Sequence, residues 1–352
     1  MVEFQTDAEK IAEMALGIGA ITLSPEDPYT WASGYRMPIY NDNRKHLSFS
    51  KNRSFIAHTL MLPILREVEG FAMQKQYISG TSTSGIAPGY SVAQLVGLPF
   101  IFQNKNEVFM INPNDIEFEF SQRDRTFYDA GIYEVDSVSS TCPFAIPFGV
   151  HLANRQDLPF SYVRQKSKDH GLEQQIEGVI SQGEHVLLVD IAGKDSYADN
   201  ARQALIYAGA GEVSILSLDS SLYKNVTNSL SNKFLIEKRG ELQEYETNTS
   251  IIQIEDLVST GGSTVKEMDR YKELGADVSK CFSIFSFGFP EAEAEFEKRG
   301  YTLSPVLDYD TLIKVAKQKG TITDEQFEML KDWRKDAWNW GEKHGFPKVV
   351  KK

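Results

Sequence analysis

The stretch IIQIEDLVSTGGST, residues 251 to 264, decides how this chain is read. Four residues with the character of a buried strand run into two acids, Glu255 and Asp256. A short spacer follows, then Ser259-Thr260-Gly261-Gly262-Ser263-Thr264 at the start of a helical pattern. Acids at the end of a parallel strand lie where open α/β sheets place ligands. A tight glycine turn offers backbone N–H groups, and the helix behind it adds the positive end of its dipole, so together with the hydroxyls it forms a cradle for a monophosphate. Glycine suits the turn because a side chain would hold the phosphate off the backbone. The paired acids suit two neighbouring ribose hydroxyls, directly or through Mg²⁺.

Upstream, LLVDIAGKDSYA at 187 to 198 has the same outline with different chemistry. At an offset of 66, Val189 stands for Glu255, Asp190 keeps Asp256, and Lys194-Asp195-Ser196 replaces Thr260-Gly261-Gly262. Without the two cradle glycines, and with Asp195 at the anion position, that copy should bind no phosphate. A second pair lies at an offset of 60, SGTSTSGIAPGYSVAQLVGLPF (79 to 100) over SSTCPFAIPFGVHLANRQDLPF (139 to 160). There Cys142-Pro143-Phe144-Ala145 replaces Ser82-Thr83-Ser84-Gly85, removing hydroxyls and a backbone donor. Duplication explains both pairs, and so does the shared pattern of any two strand-turn-helix units.

Alternation of strands and helices predicts an α/β fold with a mostly parallel sheet flanked by helices. Residues 7 to 18 read as an amphipathic helix with Thr6 or Asp7 as N-cap, 51 to 69 as a second helix and 76 to 80 as a buried strand. Residues 23 to 44, rich in Pro, Gly and aromatics, read as an ordered loop with short strands. Gly320 is a C-cap candidate between two C-terminal helices.

The 352 residues carry 41% hydrophobic and 24% charged side chains, the range of an ordinary globular protein. A net charge of −12 argues against nonspecific binding to nucleic acid or an anionic membrane surface. Cys142 and Cys281 are too few for a disulfide framework, show no metal-ligand spacing, and are expected to be buried. The acidic, helical opening residues lack a basic leader region, and no apolar run approaches the roughly 20 residues of a membrane span. The expectation is a soluble, cytoplasmic protein.

The acid pair, spacer and T-G-G-S-T cradle resemble the phosphoribosyl pyrophosphate signature of the type I phosphoribosyltransferases. TLSPEDPYTWASGYRMPIYNDNR, YISGTSTSGIAPG, LPFSYVRQKSKDHG, QIEGVISQGE, FSFGFPEAE and LDYDTLIKVAKQKGTIT, in that order, resemble segments of the bacterial orotate phosphoribosyltransferases. The likeness spans about 1 to 100, 158 to 190 and 251 to 335. It implies a hood over about residues 1–50, a core at 51–335 with insertions at about 101–157 and 191–250, and a tail at 336–352. Such insertions depart from the family, whose members are shorter.

Carried over by residue, the resemblance assigns the pyrophosphate contacts and catalysis to Arg164, Lys168 and His170, with Asp256 at the ribose. Phosphoribosyl pyrophosphate would also meet Thr81, Ser82, Thr83, Ser84 and Gly85, then Lys166, Glu255, Thr260, Gly261, Gly262, Ser263 and Thr264. Orotate would meet Arg36, Arg44 and Ser259, with an exposed structural arginine the equal alternative at 36 and 44. Part of the family has Lys where this chain has Gln165. Mg²⁺ would arrive mainly on the pyrophosphate substrate, with no dedicated protein metal site. Family members complete their sites across a homodimer, so the insertions here could extend the sheet, mimic that partner or block it. The implied reaction joins orotate and phosphoribosyl pyrophosphate into orotidine monophosphate. The alternatives are transfer to another base and a noncatalytic sensor of phosphoribosyl pyrophosphate.

Overall fold

The computed structural model describes residues 5–69, 75–129, 134–166, 175–193, 196–227, 230, 232–238, 241–247 and 249–349. Helix α1 (Asp7–Gly17) starts at Thr6, whose hydroxyl accepts from the Glu9 N–H while the Glu9 carboxylate accepts from the Thr6 N–H. That reciprocal capping box selects Thr6 over Asp7 as the cap. Four short strands make the hood: β1 (Ile21–Leu23), β2 (Tyr29–Thr30), β3 (Arg36–Met37) and β4 (Ile39–Asn41). A 3-10 turn (Asn43–Ser48) then leads into α2 (Ser50–Glu69).

The chain continues with β5 (Lys75–Gly80), α3 (Ile86–Val96), β6 (Phe100–Asn104), β7 (Glu107–Ile111) and α4 (Pro113–Asp129). Next come β8 (Ser137–Thr141), α5 (Ile146–Arg155), β9 (Phe160–Val163), β10 (Ile176–Glu177), β11 (His185–Ile191), α6 (Ala198–Tyr207) and β12 (Glu212–Leu218). After β13 (Lys224–Asn225) and the hairpin β14 (Asn232–Lys238) and β15 (Glu241–Thr247), the chain forms β16 (Thr249–Val258), α7 (Gly262–Glu273), β17 (Asp277–Ser286), α8 (Pro290–Lys298) and β18 (Thr302–Asp308). Three helices close it: α9 (Tyr309–Gln318), α10 (Asp324–Lys335) and α11 (Ala337–Lys343). Gly320, at φ +69°, follows α9 as the left-handed residue expected there.

These strands form two large sheets. One has seven strands in the order β13-β7-β6-β5-β16-β17-β18, the other five in the order β10-β9-β8-β11-β12. The α/β class with a mostly parallel sheet and flanking helices is as expected. The division along the chain is not. Residues 160–163 and 185–191, expected in the core, pair with 137–141 and 212–218, expected in separate insertions. The smaller sheet is a unit of its own, nested inside the larger.

The two units share one plan. In each, an outer antiparallel hairpin lies beside a parallel strand, then the acid-bearing strand, then the next parallel strand. Ile78 pairs with Phe100 and, sixty positions on, Val138 pairs with Phe160. A shared strand order and shared register favour duplication over a chance likeness of patterns, because strand order is not dictated by local pattern.

Helices α3 and α5 hold the units together, and both present almost wholly buried faces. Tyr90 Oη lies 2.9 Å from His151 Nδ1. Asn154 donates to Gln94 Oε1 at 2.9 Å and accepts from Arg53 Nε at 2.8 Å. Arg53 also donates to the carbonyls of Leu47 and Leu158. Burial lowers its pKa to about 10, so it remains a cation at neutral pH and depends on those acceptors. Phe102 and Phe109 of the larger sheet meet Phe144 of the smaller unit edge to face, at 5.5 and 4.8 Å between centroids.

Because one apolar core runs through both units, urea should unfold the chain in one transition. Asn154→Ala, which removes the side-chain acceptor of a buried cation, should lower stability by about 2 kcal/mol. Two separate transitions, or an unchanged midpoint in the variant, would contradict this account of the seam.

Candidate active site

The two small-residue turns of the larger unit meet because β5 and β16 are neighbouring parallel strands ending at the same edge. Thr81 N–H donates to the Ile254 carbonyl at 3.0 Å, tying the first turn to the second strand. Gly80 and Gly85 allow this fold: a Cβ on Gly80 would lie 2.2 Å from the Gly85 carbonyl oxygen, and one on Gly85 2.5 Å from Thr81 N. Across the gap, Ser84 Oγ donates to Asp256 Oδ1 at 2.7 Å. Asp256 is part-exposed, whereas Glu255 beside it is buried.

The acids therefore have different surroundings. Glu255 accepts from Thr264 Oγ1 at 2.8 Å and from the Asp256 N–H at 2.9 Å. Burial and then the Asp256 charge push its pKa well above the usual carboxylate range. Its carboxyl and the Thr264 hydroxyl are turned inward, tying the cradle to the strand. Asp256 is left as the part-exposed acid of the pair.

Gly261, at φ +76°, occupies the left-handed region as the residue just before α7, and a Cβ there would press to 3.0 Å from the Phe296 ring. A Cβ on Gly262 would meet nothing within 4 Å, so the first turn of the 12-residue helix faces open space. Thr260, Gly262 and Ser263 are all at least partly accessible. This is the free helix start, backed by hydroxyls, that an anion needs.

The hood closes one side. Asn43 Nδ2 donates to the Asp256 carbonyl at 2.7 Å. Arg44 pairs with Asp42 at 2.5 Å and with Glu177 of β10 at 2.6 Å. Burial opposes its charge, but those carboxylates outweigh burial and raise its pKa. Arg44, Ser84 and Asp256 line one small cavity together. Arg36 stands elsewhere: it is 3.6 Å from Asp27 and packs against Gly341 and the Phe346 ring, outside the clefts described here.

A larger cleft of about 460 Å³ opens on the other side of the turn, lined by Ser259, Thr260, Trp31, Tyr40, Phe287 and Trp338 among others. Asn41 also lines it, and among the described residues neither Asn41 Nδ2 nor Oδ1 has a hydrogen-bond partner, though both are buried. A buried amide left open on both atoms is suited to a planar ligand with its own donor and acceptor.

Arg164 directly follows β9 and lies 3.3 Å from Glu177, the acid that also holds Arg44. Lys166 is exposed. Lys168 and His170 lie outside the described residues, as do Lys194 and Asp195 of the altered copy. Cys281 is buried as expected; Cys142 is only partly so, because it sits in the turn facing the larger unit. No described helix is long and apolar enough to cross a membrane.

Sequence reasoning missed Asn41, Glu177 and Glu267. Glu267 lies on α7 and accepts from the Ser82 N–H at 3.2 Å, beneath the first turn. Burial raises its pKa to about 8, against the weaker opposing pull of Ser82 and Gln253. Glu267 Oε1 and Gln253 Oε1 both lack hydrogen-bond partners among the described residues. The spacing of Glu267, three residues beyond Thr264, was the available signal.

A folded pKa raised from 4.5 to about 8 means this group's stabilisation is full below pH 4.5 and is lost as pH rises to about 8. Glu267→Gln, a permanent copy of the neutral acid, should therefore gain on the parent from about pH 4.5 to 8. The gap should level off above that, at on the order of 5 kcal/mol. Urea midpoints of the two proteins across that range would measure it, and a gap independent of pH would contradict a neutral Glu267.

No family model matches the chain. It is 27% identical to the orotate phosphoribosyltransferase of Listeria monocytogenes serotype 4b (strain F2365) over 333 residues, which cover 95% of this chain and 98% of that protein. It is 26% identical to the orotate phosphoribosyltransferase of Porphyromonas gingivalis (strain ATCC BAA-308 / W83) over 337 residues, 96% and 99% of the two chains. Among solved structures, the Mycobacterium tuberculosis H37Rv orotate phosphoribosyltransferase in complex with Fe(III) dicitrate gives a TM-score of 0.33 at 14% identity, covering 87% of this chain and 99% of that one. The Francisella tularensis orotate phosphoribosyltransferase gives 0.38 at 9%, covering 93% and 98%. Along nearly its whole length, then, the chain is similar to curated proteins named orotate phosphoribosyltransferase, at 26 to 27% identity.

Proposed function

We propose that the chain transfers the 5-phosphoribosyl group from phosphoribosyl pyrophosphate to orotate, giving orotidine 5′-monophosphate and pyrophosphate. The observation that carries this reading is the meeting of two anion-competent turns over one part-exposed acid, marked by the Ser84–Asp256 hydrogen bond. The turn at 259–264 takes the 5′-phosphate, Asp256 the ribose hydroxyls, and the turn at 80–85 the pyrophosphate. The aromatic cleft beside Ser259 takes the base, and the open Asn41 amide reads its polar edge.

In this reading an orotate ring nitrogen attacks the anomeric carbon as the bond to the pyrophosphate oxygen breaks. Negative charge gathers on the leaving group, where fixed donors and cations count most. Arg164 and Lys166 are the described cations of the basic segment, and Lys168 and His170 extend it in sequence. Mg²⁺ fits the part-exposed Asp256 carboxylate and would neutralise charge on the departing oxygens when bound with the substrate. Glu255, tied to Thr264, keeps the cradle aligned with Asp256.

The test is orotidine monophosphate formation from orotate, phosphoribosyl pyrophosphate and Mg²⁺, with uracil, adenine and hypoxanthine run as competing bases. Orotate should be the substrate used. Turnover of another base instead would overturn the choice of acceptor, and tight binding without turnover of any base would mark a sensor. Asn41→Ala should raise the KM for orotate roughly tenfold while leaving that for phosphoribosyl pyrophosphate unchanged. An unchanged orotate KM would remove Asn41 from base recognition.

A further inference from the structure

The smaller unit repeats the plan of the larger one, yet it has closed its own anion site from within. Tyr197 stands at the position that, at the offset of 66, is Ser263 in the intact copy. Its hydroxyl reaches back into the turn after β8, accepting the Cys142 N–H and bonding the carbonyls of Cys142 at 3.0 Å and Val163 at 2.7 Å. The Cys142 N–H is thus taken by a phenol, where its counterpart in the larger unit, the Ser82 N–H, is taken by the Glu267 carboxyl. Asp190, the counterpart of Asp256, is buried and satisfied on both oxygens, by Thr141 and Ser196 at 2.6 Å each.

What the smaller unit keeps is turned outward to the seam. Its anion-type turn lies against that of the larger unit, where burial raises the pKa of the Cys142 thiol to about 11 although the Thr83 hydroxyl and the Arg164 charge are close enough for both to favour its ionised form. Glu177, on the smaller unit's hairpin, grips Arg44 of the hood with one oxygen and Arg164 with the other. Arg44 in turn lines the cavity with Ser84 and Asp256. The matching hairpin of the larger unit, β6 to β7, is joined through Lys105 and Asn106 alone and has no basic segment between its strands. Each unit therefore has what the other lacks.

We propose that the smaller unit is a built-in, ligand-free partner that presents Arg164 to the larger unit's site, so that one chain forms one complete site and needs no second copy. This rests on the reading given under Proposed function. Glu177 acts as the positioning residue that holds both arginines at the seam.

Titration calorimetry with phosphoribosyl pyrophosphate and Mg²⁺, beside light scattering and dilution assays on the intact chain, tests this. One ligand should bind per 39.7 kDa chain, and specific activity should not change as the protein is diluted through the range where it is a single copy. Arg164→Ala should keep one ligand per chain while kcat falls at least tenfold. Two ligands per chain, activity that grows as copies associate, or full turnover in Arg164→Ala would each overturn the built-in partner and leave the proposed reaction standing. No binding at all would overturn that reaction, and this inference with it.

Discussion

A pyrophosphate and a ribose monophosphate can be held together only if two backbone turns approach within one substrate's length. Here that approach rests on the ends of β5 and β16, tied by the Thr81–Ile254 backbone bond and bridged by Ser84 and Asp256. Gly80 and Gly85 fold the first turn back on itself, and Gly261 opens the second into α7. The hood, the aromatic cleft and the smaller unit are arranged around this junction. Asn43 reaches it through the Asp256 carbonyl, and Glu267 buttresses it from below through the Ser82 N–H.

The same plan appears twice, and the two copies diverge at the positions where an anion would bind. A turn that must admit phosphate needs open backbone donors, and each open donor is a buried polar group without a partner until ligand arrives. The smaller unit removes that instability by filling its turn with the Tyr197 hydroxyl and satisfying Asp190 internally. The larger unit retains it, with open space at Gly262 and an amide at Asn41 that has no partner among the described residues. Such locally unsatisfied positions mark a site of function where the rest of the fold is self-consistent.

The cradle was legible in the sequence because glycines, hydroxyls and acids at fixed spacing carry their chemistry locally. The repeats were legible too, and so were the substitutions that set the turns of the second copy apart. The nesting was not, because strand order is a property of long-range pairing: nothing in 160–163 or 185–191 announces that these strands leave the larger sheet for 137–141 and 212–218. Glu255 and Asp256 look equivalent in sequence, and only the fold turns one inward to Thr264. Arg36 and Arg44 likewise differ only by position, one beside α11 and the other at the junction. Tyr197, the residue that closes the second copy, reads in sequence as an unremarkable helix-start aromatic.

The central claim is that chemistry belongs to one copy alone. The matched pair Asp256→Asn and Asp190→Asn tests it, each change removing a charge from the corresponding acid without altering its shape. Pyrophosphate release on mixing phosphoribosyl pyrophosphate with orotate should fall at least a hundredfold in the first, about 3 kcal/mol of barrier, and stay within threefold of the parent in the second. Equal losses in both variants, or a loss confined to Asp190→Asn, would contradict the account.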